Sequence, residues 1–356
     1  MEKILLINRS PETLYAKLIK LLQNDYIVDE FSFEKLPRVK HYFFIGRLLL
    51  LKNLLKGINI LFFDSSYKKI IICGGVLRYL DIIVRLFHKK REIILFRYDI
   101  DNFRDAPSGF INRISFKYAL YAERYCMIHS DKIIHKGLEK ELEFLDFYEK
   151  IKNKPHYLFR EFIDEKDIVK KEDMLPKLSD KDDEIHLVYV GGLYFKSFPG
   201  VESFWKFYPK ITNQMLHLHI YSKVSKEIED EFLRIEQNNR YFHYEGFRNH
   251  EDLIKELTQY DWGIQLFGDN NNDVMLMAKV AFSNKIYDYL QANLPCIVSN
   301  NQEAIGEFLN KSKKNILINY HDILILRSII LQKTKDNSDA LKLKISSQNL
   351  IKFIGE

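Results

Sequence analysis

Three short segments in the second half of the chain carry residue types suited to holding a phosphorylated ligand. The first is a pair of glycines, Gly191 and Gly192, which directly follows the apolar run 185–190 and precedes Lys196. Glycines in such a turn let the backbone approach a bound anion and present N–H donors to it. A nearby lysine adds a positive charge for a phosphate. The same residues also fit an ordinary turn between a strand and a loop.

The second segment, 282–298, places an acid one turn inside an expected helix. Asn284, Lys285 and Asp288 lie near the start of that helix. Asn284 and Asp288 are spaced to share one helix face, where both could contact a single ligand. The positive end of the helix dipole favours an anionic group at this place.

The third segment ends an expected strand in Gly246, followed by Phe247 and Arg248. A glycine between a strand and a helix leaves backbone groups able to contact a flat nucleobase. Together with the other two segments, this turn predicts a site for a nucleotide.

Alternating strand-like and helix-like stretches must position these segments. In the first half, apolar runs at 4–7, 58–62, 70–73 and 92–96 alternate with helical stretches such as 110–127 and 138–148. Apolar strands flanked by helices predict parallel sheets buried on both faces. The sequence therefore predicts two doubly wound α/β units, 1–165 and 185–334, joined by a charged linker at 166–184. Ligands of such folds bind at the carboxyl ends of the strands, here expected in the cleft between the units.

The composition excludes several classes of protein. The chain has 356 residues and a net charge of +5, an excess too small to predict a nucleic-acid binder. Its three cysteines, Cys73, Cys126 and Cys296, are too far apart for a disulfide framework or a cysteine-rich zinc site. The first apolar run, 4–7, is too short for a signal-peptide core, and no run reaches the ~20 apolar residues of a transmembrane helix. These features predict a cytoplasmic protein.

One basic segment raises the possibility of membrane contact. Arg38–Ile58 carries Arg38, Lys40, Arg47, Lys52 and Lys56 among apolar residues and contains no acid. A basic amphipathic helix of this kind can lie on anionic lipid, peripheral to the inner face of the cell membrane. The alternative is a core-facing helix with a solvated basic edge.

Taken in order, the three segments resemble the nucleotide-binding domain of GT-B glycosyltransferases, in particular glycosyltransferase family four. Residues 188–196 match the family's strand, glycine, loop and lysine, and residues 244–267 match its glycine–phenylalanine turn, helix and strand. The stretch Ser283–Val298 is similar to the family's last helix and following strand, with matches at Asn284-Lys285-Ile286, Tyr289-Leu290, Ala292 and Pro295-Cys296-Ile297-Val298. The first half matches the family in architecture.

This resemblance implies an α/β fold of two Rossmann-like parallel-sheet domains, with a C-terminal helix, at about 335–356, that crosses back to the first domain. It implies metal-independent, retaining transfer of a hexose from a nucleotide-sugar donor to a hydroxyl of a lipid-linked or polysaccharide acceptor. Lys196 and the amides of Gly191 and Gly192 would hold the diphosphate, and Asp288 stands where the family has a ribose-binding Glu. The implied donor site is completed by Gly246, Phe247, Arg248, Asn284 and Lys285.

The sequence departs from the family's pattern on the sugar side of the site. Where the family has a second acid, this chain has Val280, and the acids of that stretch are Asp269 and Asp273. The family's arginine in the glycine loop is also missing, and Arg248 is the candidate to replace it. Two alternatives therefore stand beside a glycosyltransferase: a sugar-nucleotide epimerase on the same fold, and a non-catalytic nucleotide-binding subunit.

A catalytic base for the acceptor hydroxyl is expected in the first half of the chain. Asp99 and Asp101 follow an expected strand, and His129 and His135 flank a later one. Asp99-Ile100-Asp101 also spells the Asp-x-Asp pattern with which GT-A glycosyltransferases bind Mn²⁺ or Mg²⁺. Because Asp180-Lys181-Asp182 spells it as well, inside the expected linker, we expect no metal there.

Overall fold

The computed structural model describes residues 1–8, 13–32, 52, 55–74, 80–97, 100, 103, 109–160, 163, 167–196, 202–266, 276–310, 314–333 and 348–356. The chain divides into two compact units. Unit 1 comprises Met1–Phe162 and Ser346–Glu356, and unit 2 comprises Ile163–Ile345. Among the described helices, none is both long and apolar enough to cross a membrane.

Unit 1 is built on a six-stranded parallel sheet. Its strands are β1 (Glu2–Asn8), β2 (Tyr26–Ser32), β3 (Tyr67–Cys73), β4 (Glu92–Arg97), β5 (Lys132–His135) and β6 (His156–Leu158), in the order β2-β1-β3-β4-β5-β6. Its first helices are α1 (Thr13–Leu22), α2 (55–63), α3 (Leu80–Phe87) and α4 (Phe110–His129).

Unit 2 is built on a second six-stranded parallel sheet, in the order β12-β11-β10-β7-β8-β9. Its strands are β7 (His186–Val190), β8 (His217–Tyr221), β9 (Phe242–Gly246), β10 (Trp262–Gln265), β11 (Cys296–Ser299) and β12 (Ile316–Ile318). Its helices are α5 (Ser179–Asp182), α6 (Phe204–Thr212), α7 (Lys226–Asn238), α8 (His250–Leu257), α9 (Leu276–Val280), α10 (Lys285–Gln291), α11 (Glu303–Leu309) and α12 (Leu326–Lys333). The final helix, α13 (Gln348–Gly355), belongs to unit 1.

Each unit has its own hydrophobic core. In unit 1 the core includes Ile4, Ile71 and Ile94 from the sheet and Leu350 and Ile354 from α13, all fully buried. In unit 2, the aromatic side chains of α6, α7 and β9 form much of the core, with Phe204, Phe232 and Phe242 in mutual ring contact. Burial of both faces of each sheet explains the near-continuous apolar strands. The predicted fold class, two doubly wound parallel-sheet units, is confirmed.

Two predicted elements of unit 1 were wrong. The run 58–62, expected to be a strand, lies within the helix α2, where Leu61 is buried while Phe62 and Phe63 are exposed. A five-residue run that is apolar except for Asn59 is too short to show a period of its own, so it fits a helix as well as a strand. The expected helix 138–148 consists instead of two 3₁₀ turns, Glu141–Phe144 and Tyr148–Lys150.

The expected linker, 166–184, is bonded along unit 2 over much of its described length. The Val169 amide donates to the Gln291 carbonyl (2.8 Å), and the Leu175 amide donates to the Thr258 hydroxyl (2.9 Å). The Ser179 hydroxyl donates to Asp261 (2.6 Å). The high charge of this segment follows from its position on the surface of unit 2, where its acids face solvent.

Candidate functional site

In unit 2 the strand order reverses between β7 and β10, the place where doubly wound sheets bind their ligands. The two strands pair at two positions, and Tyr289 of α10 bonds to both of them beyond that point. Its hydroxyl lies 3.0 Å from the Ile264 carbonyl oxygen, 3.2 Å from that of Val188 and 3.2 Å from the Val190 amide nitrogen. The phenol donates to a carbonyl and accepts from the amide, so Tyr289 ties α10 to both strands.

The ring of Tyr289 requires a glycine at position 263. A Cβ atom at Gly263 would lie 2.5–2.7 Å from the Tyr289 ring carbons, well inside the contact distance of carbon atoms. Gly263 and Tyr289 therefore determine together where α10 lies, and with it the positions of Lys285 and Asp288.

Lys285 lies beside the glycine turn that follows β7. Its Nζ donates to the Tyr189 hydroxyl (2.8 Å) and sits 4.0 Å from the centre of that ring. Its Cε lies 3.6 Å from the position that a Cβ on Gly191 would take. Burial lowers the pKa of Lys285 to about 7, although Asp288 acts in the opposite direction. An anionic group bound here would favour the charged amine.

The glycine turn itself presents one open position. Gly191 has a φ of 100°, which favours glycine, and its N–H donates to the Tyr221 carbonyl (2.8 Å). That amide, which the resemblance assigns to a diphosphate, is therefore used inside the sheet in this structure. Beside it, a Cβ on Gly192 would meet open space, and the Gly192 carbonyl accepts from the Tyr189 hydroxyl (2.7 Å). Lys196 is exposed and forms no ion pair or hydrogen bond with the residues that the structure describes.

Asp288 faces a histidine that the sequence did not single out. His250 Nε2 lies 3.3 Å from Asp288 Oδ1, and this contact raises the pKa of His250. The Asn249 side chain accepts from the Asp252 amide (3.0 Å), which starts α8 at His250. The sequence signal for His250 is its position directly after Asn249, a residue type that commonly caps the start of a helix. Asn284 lies exposed just before α10.

The turn after β9 supplies the remaining residues predicted for the donor. Gly246 has a φ of 75°, and Phe247 is 66% exposed. Arg248 donates from Nε to Glu256 Oε1 (2.8 Å) and from a terminal nitrogen to the Glu245 carbonyl (2.8 Å). These bonds hold Arg248 against its own turn, so it braces that turn in this structure.

The proposed catalytic acids of the first half cannot be placed. Asp99 and Asp101 lie outside the described residues, as do Asp269 and Asp273 of unit 2. Of the basic segment 38–58, only residues 52 and 55–58 are described. Val280, where the family has an acid, is buried at the end of α9.

The two histidines of unit 1 that the sequence offered as a catalytic base, His129 and His135, are both held by neighbouring side chains. His129 stacks near Tyr125, with ring centres 4.2 Å apart. His135 is fully buried at the end of β5, and its Nδ1 lies 2.6 Å from Glu141 Oε1. Glu141 also accepts from the Gly137 amide (3.1 Å), so this carboxylate closes the turn after β5.

A second polar cluster in unit 2 was also missed. His186, His217, His219 and His243 lie on neighbouring strands, and burial lowers the pKa of His219 to about 2 and that of His243 to about 4. The alternating His217-Leu218-His219 in a strand is the signal that could have found it, since alternate residues share a face.

The chain was compared with family models, with curated proteins and with solved structures. No family model matches the chain, and no curated protein matches it. Among solved structures, HepE from Anabaena, in complex with UDP and glucose, superposes with a TM-score of 0.57 at 13% identity, covering 94% of this chain and 90% of that one. The lipopolysaccharide outer core galactosyltransferase WaaB gives 0.54 at 11% identity, covering 99% and 94%.

A third similar structure is the α,α-trehalose 6-phosphate synthase from Burkholderia multivorans, with a TM-score of 0.57 at 8% identity, covering 100% and 92%. All three superpositions extend over both units of the chain. Likeness at this level of identity establishes architecture. The chain has the GT-B fold, with two Rossmann-like domains that each carry a six-stranded parallel sheet.

Proposed function

We propose that this chain is a glycosyltransferase that moves a sugar from a nucleotide-sugar donor to a hydroxyl acceptor. The observation that carries the proposal is the placement of a lysine amine and a carboxylate, Lys285 and Asp288, on α10 at the strand reversal of unit 2. Support comes from the structural neighbours, among them HepE in complex with UDP and glucose. We further propose retaining, metal-independent transfer of a hexose, as in family four.

The donor's diphosphate would lie at the turn formed by Gly191 and Gly192. Lys285, beside Gly191, is the cation that we assign to it, because its Nζ is already held at this turn by Tyr189. Lys196 is the alternative cation. The Lys285 ammonium would stabilise the leaving diphosphate as negative charge develops on it.

The nucleoside end of the donor would contact Asp288. A carboxylate can accept from both hydroxyls of a ribose, and its partner His250 orients it at 3.3 Å. The exposed ring of Phe247, after Gly246, offers a surface for a nucleobase.

The function is tested by a thermal-shift screen against nucleoside diphosphates and nucleotide sugars, followed by calorimetry. We expect Asp288→Asn to weaken donor binding about tenfold, because a ribose hydroxyl loses a charged acceptor. The control is Glu307→Gln, which removes an exposed carboxylate from α11 and should leave the affinity unchanged. Unchanged affinity of Asp288→Asn would remove Asp288 from the site.

Turnover assays separate the alternatives. Release of nucleoside diphosphate only when a membrane lipid extract is present supports a transferase. Conversion of the nucleotide sugar to an isomer without acceptor identifies an epimerase. Donor binding without any turnover identifies a non-catalytic subunit.

We propose that the acceptor is lipid-linked or a cell-surface polysaccharide, and that α2 contributes to contact with the membrane surface. The exposed residues in and next to this helix combine Leu55, Phe62 and Phe63, the last 89% exposed, with Lys52 and Lys56. Apolar side chains beside lysines are suited to the boundary of an anionic bilayer.

Replacing Lys52 and Lys56 by Glu should therefore reduce sedimentation with vesicles that contain phosphatidylglycerol, most clearly at low salt. The matched control changes Lys181 and Lys226 of unit 2 to Glu, which reverses the same number of exposed charges. Equal binding of both double variants at low salt would contradict a role for α2.

A further inference from the structure

Four histidines form a ladder on one face of the sheet in unit 2, toward the amino ends of its strands. His186 of β7 is in register with His217 of β8, and His219 of β8 is in register with His243 of β9. The rings of His186 and His217 stack with centres 4.3 Å apart, as do the rings of His219 and His243. The outer end of the ladder lies at the amino ends of the strands, whereas its inner end reaches Glu245, which directly precedes Gly246.

Two carboxylates lie at the outer edge of this ladder. Asp182 Oδ2 is 3.1 Å from His186 Nε2 and 4.0 Å from His217 Nε2, and Glu184 Oε2 is 2.5 Å from His217 Nε2. The side chains of His186 and His217 are buried, whereas those of Asp182 and Glu184 are 40% and 26% exposed. Asp182, Glu184 and His217 therefore bring three ligand atoms within 4.8 Å of one another at a point that solvent can reach, and His186 Nε2 lies beside them on Asp182.

The inner nitrogens of the same rings already have partners. His186 Nδ1 lies 3.0 Å from His219 Nε2, and His219 Nδ1 lies 2.8 Å from Glu245 Oε1. His217 Nδ1 lies 2.8 Å from His243 Nε2. Ligand histidines commonly donate their other ring N–H to such a partner, which sets the tautomer.

One chain of hydrogen-bond contacts through the cluster has fewer N–H hydrogens than contacts. The branch from Asp182 through His186 and His219 to Glu245 contains three contacts, and a carboxylate acceptor stands at each end. Two neutral imidazoles carry one N–H each, so they supply two of the three hydrogens. If both N–H groups point inward, His186 Nε2 presents a lone pair to Asp182, and a cation between them satisfies both.

We propose that Asp182, Glu184 and His217 Nε2, whose ligand atoms lie within 4.8 Å of one another, bind one divalent transition-metal ion, with Zn²⁺ as the best match, and that His186 Nε2, 3.1 Å from Asp182, becomes the fourth ligand when the ion binds. Zn²⁺ takes nitrogen and carboxylate ligands in tetrahedral sites at ~2.0–2.2 Å, which puts the ligand atoms about 3.3 Å apart. The three nitrogen–oxygen distances here bracket this spacing of ligand atoms: 2.5 Å from His217 to Glu184, 3.1 Å from His186 to Asp182, and 4.0 Å from His217 to Asp182. The two carboxylates offset the charge of the ion.

The alternative set His186, His217 and His219 is also close enough, with ligand atoms within 4.8 Å of one another. It is less suitable, because both nitrogens of His219 are already engaged and no carboxylate balances the charge. Arg240 competes with the ion at the outer site, since its guanidinium lies 2.6 Å from both oxygens of Glu184. The exposed Arg240 side chain must give up at least one of these contacts when the ion binds.

Such an ion would join the end of α5 to β7 and β8. The strands between the two sites are five residues long, or roughly 16 Å. We therefore expect the ion to act on the stability of unit 2, and its binding can be measured without any sugar donor.

The test uses the untagged, chelator-stripped full-length protein, titrated with ZnCl₂ in a calorimeter and with CoCl₂ in a spectrophotometer. We expect one equivalent of Zn²⁺ per chain, the visible bands of tetrahedral Co²⁺, and a melting temperature that rises with the Zn²⁺ concentration. Asp182→Asn/Glu184→Gln should bind Zn²⁺ at least about a hundredfold more weakly. Arg240→Gln should bind several-fold more tightly, because a competing cation is removed.

The matched control, Asp173→Asn/Asp180→Asn, removes two neighbouring exposed carboxylates and should bind like the wild type. Thermal unfolding of each stripped variant reports whether it is folded. Absence of stoichiometric binding by the wild type would overturn the proposal. So would a folded Asp182→Asn/Glu184→Gln variant with wild-type affinity.

Discussion

Replacing Lys285 by Met is expected to weaken binding of nucleoside diphosphates about ten- to hundredfold while leaving unit 2 at least as stable at neutral pH. A hydrogen bond from a charged group is worth about 1.5–3 kcal/mol, which gives a loss of this size. The folded protein should tolerate the change because burial disfavours the ammonium and Met fills a similar volume. The Tyr189 hydroxyl keeps its bond to the Gly192 carbonyl.

Calorimetry with a nucleoside diphosphate and thermal unfolding of the same samples measure the two effects. Lys206→Met removes an exposed lysine of α6 and serves as the control. Lys196→Met tests the other candidate cation. A loss confined to Lys196→Met would transfer the diphosphate contact from Lys285 to Lys196.

The pH dependence of the wild type gives an independent check. Above pH 7 the free protein holds Lys285 mainly neutral, because its pKa is lowered to about 7, and an anion must then recruit a proton. Affinity should fall by up to about tenfold per pH unit above pH 7.

The stability of unit 2 should also depend on pH through Lys285. The unfolded lysine keeps its ordinary pKa near 10.4. The destabilisation from Lys285 is thus complete below pH 7 and is relieved as the pH rises from about 7 to about 10.4. Lys285→Met should lose both dependences.

Gly263→Ala is expected to destabilise unit 2 by about 2–3 kcal/mol and to lower donor affinity in the molecules that stay folded. The new methyl group would meet the Tyr289 ring at 2.5–2.7 Å, and Tyr289 is fully buried between β7, β10 and α10. Overpacking of a buried contact costs this much. Displacing the ring also moves α10, which carries Lys285 and Asp288. Denaturant unfolding gives the first quantity, and calorimetry gives the second.

Two further variants show whether the clash is the cause. Gly306→Ala, in the helix α11, places a methyl at an ordinary contact distance of 3.6 Å from Leu317 of β12, and it should be neutral or slightly stabilising. In a Tyr289→Ala background, Gly263→Ala should cost almost nothing further, because the ring is gone. Additive costs in the double variant would show that Gly263 matters for another reason.

The helix α2 shows where local pattern fails. Residues 58–62 are all apolar except Asn59, and such a run carries neither a period of two nor one of 3.6. The helix forms because it can bury Leu61 while leaving Phe62 and Phe63 outside, which depends on what packs against it. In the candidate donor site, too, some features follow from the local sequence and others from packing between distant elements. Glycines after a strand were predictable, whereas the loss of the Gly191 amide to Tyr221 follows from pairing with β8.

The sequence by itself determined that the chain forms two parallel-sheet units and that α10 carries an acid close to its start, because apolar periodicity and helix stops act locally. Only the tertiary structure decided which lysine stands at the glycine turn. Lys285 reaches Tyr189 across 96 positions of sequence, and Tyr289 packed on Gly263 sets that approach. The histidine ladder likewise depends on the register of β7, β8 and β9. Such contacts arise from packing between elements distant in sequence, which no local pattern encodes.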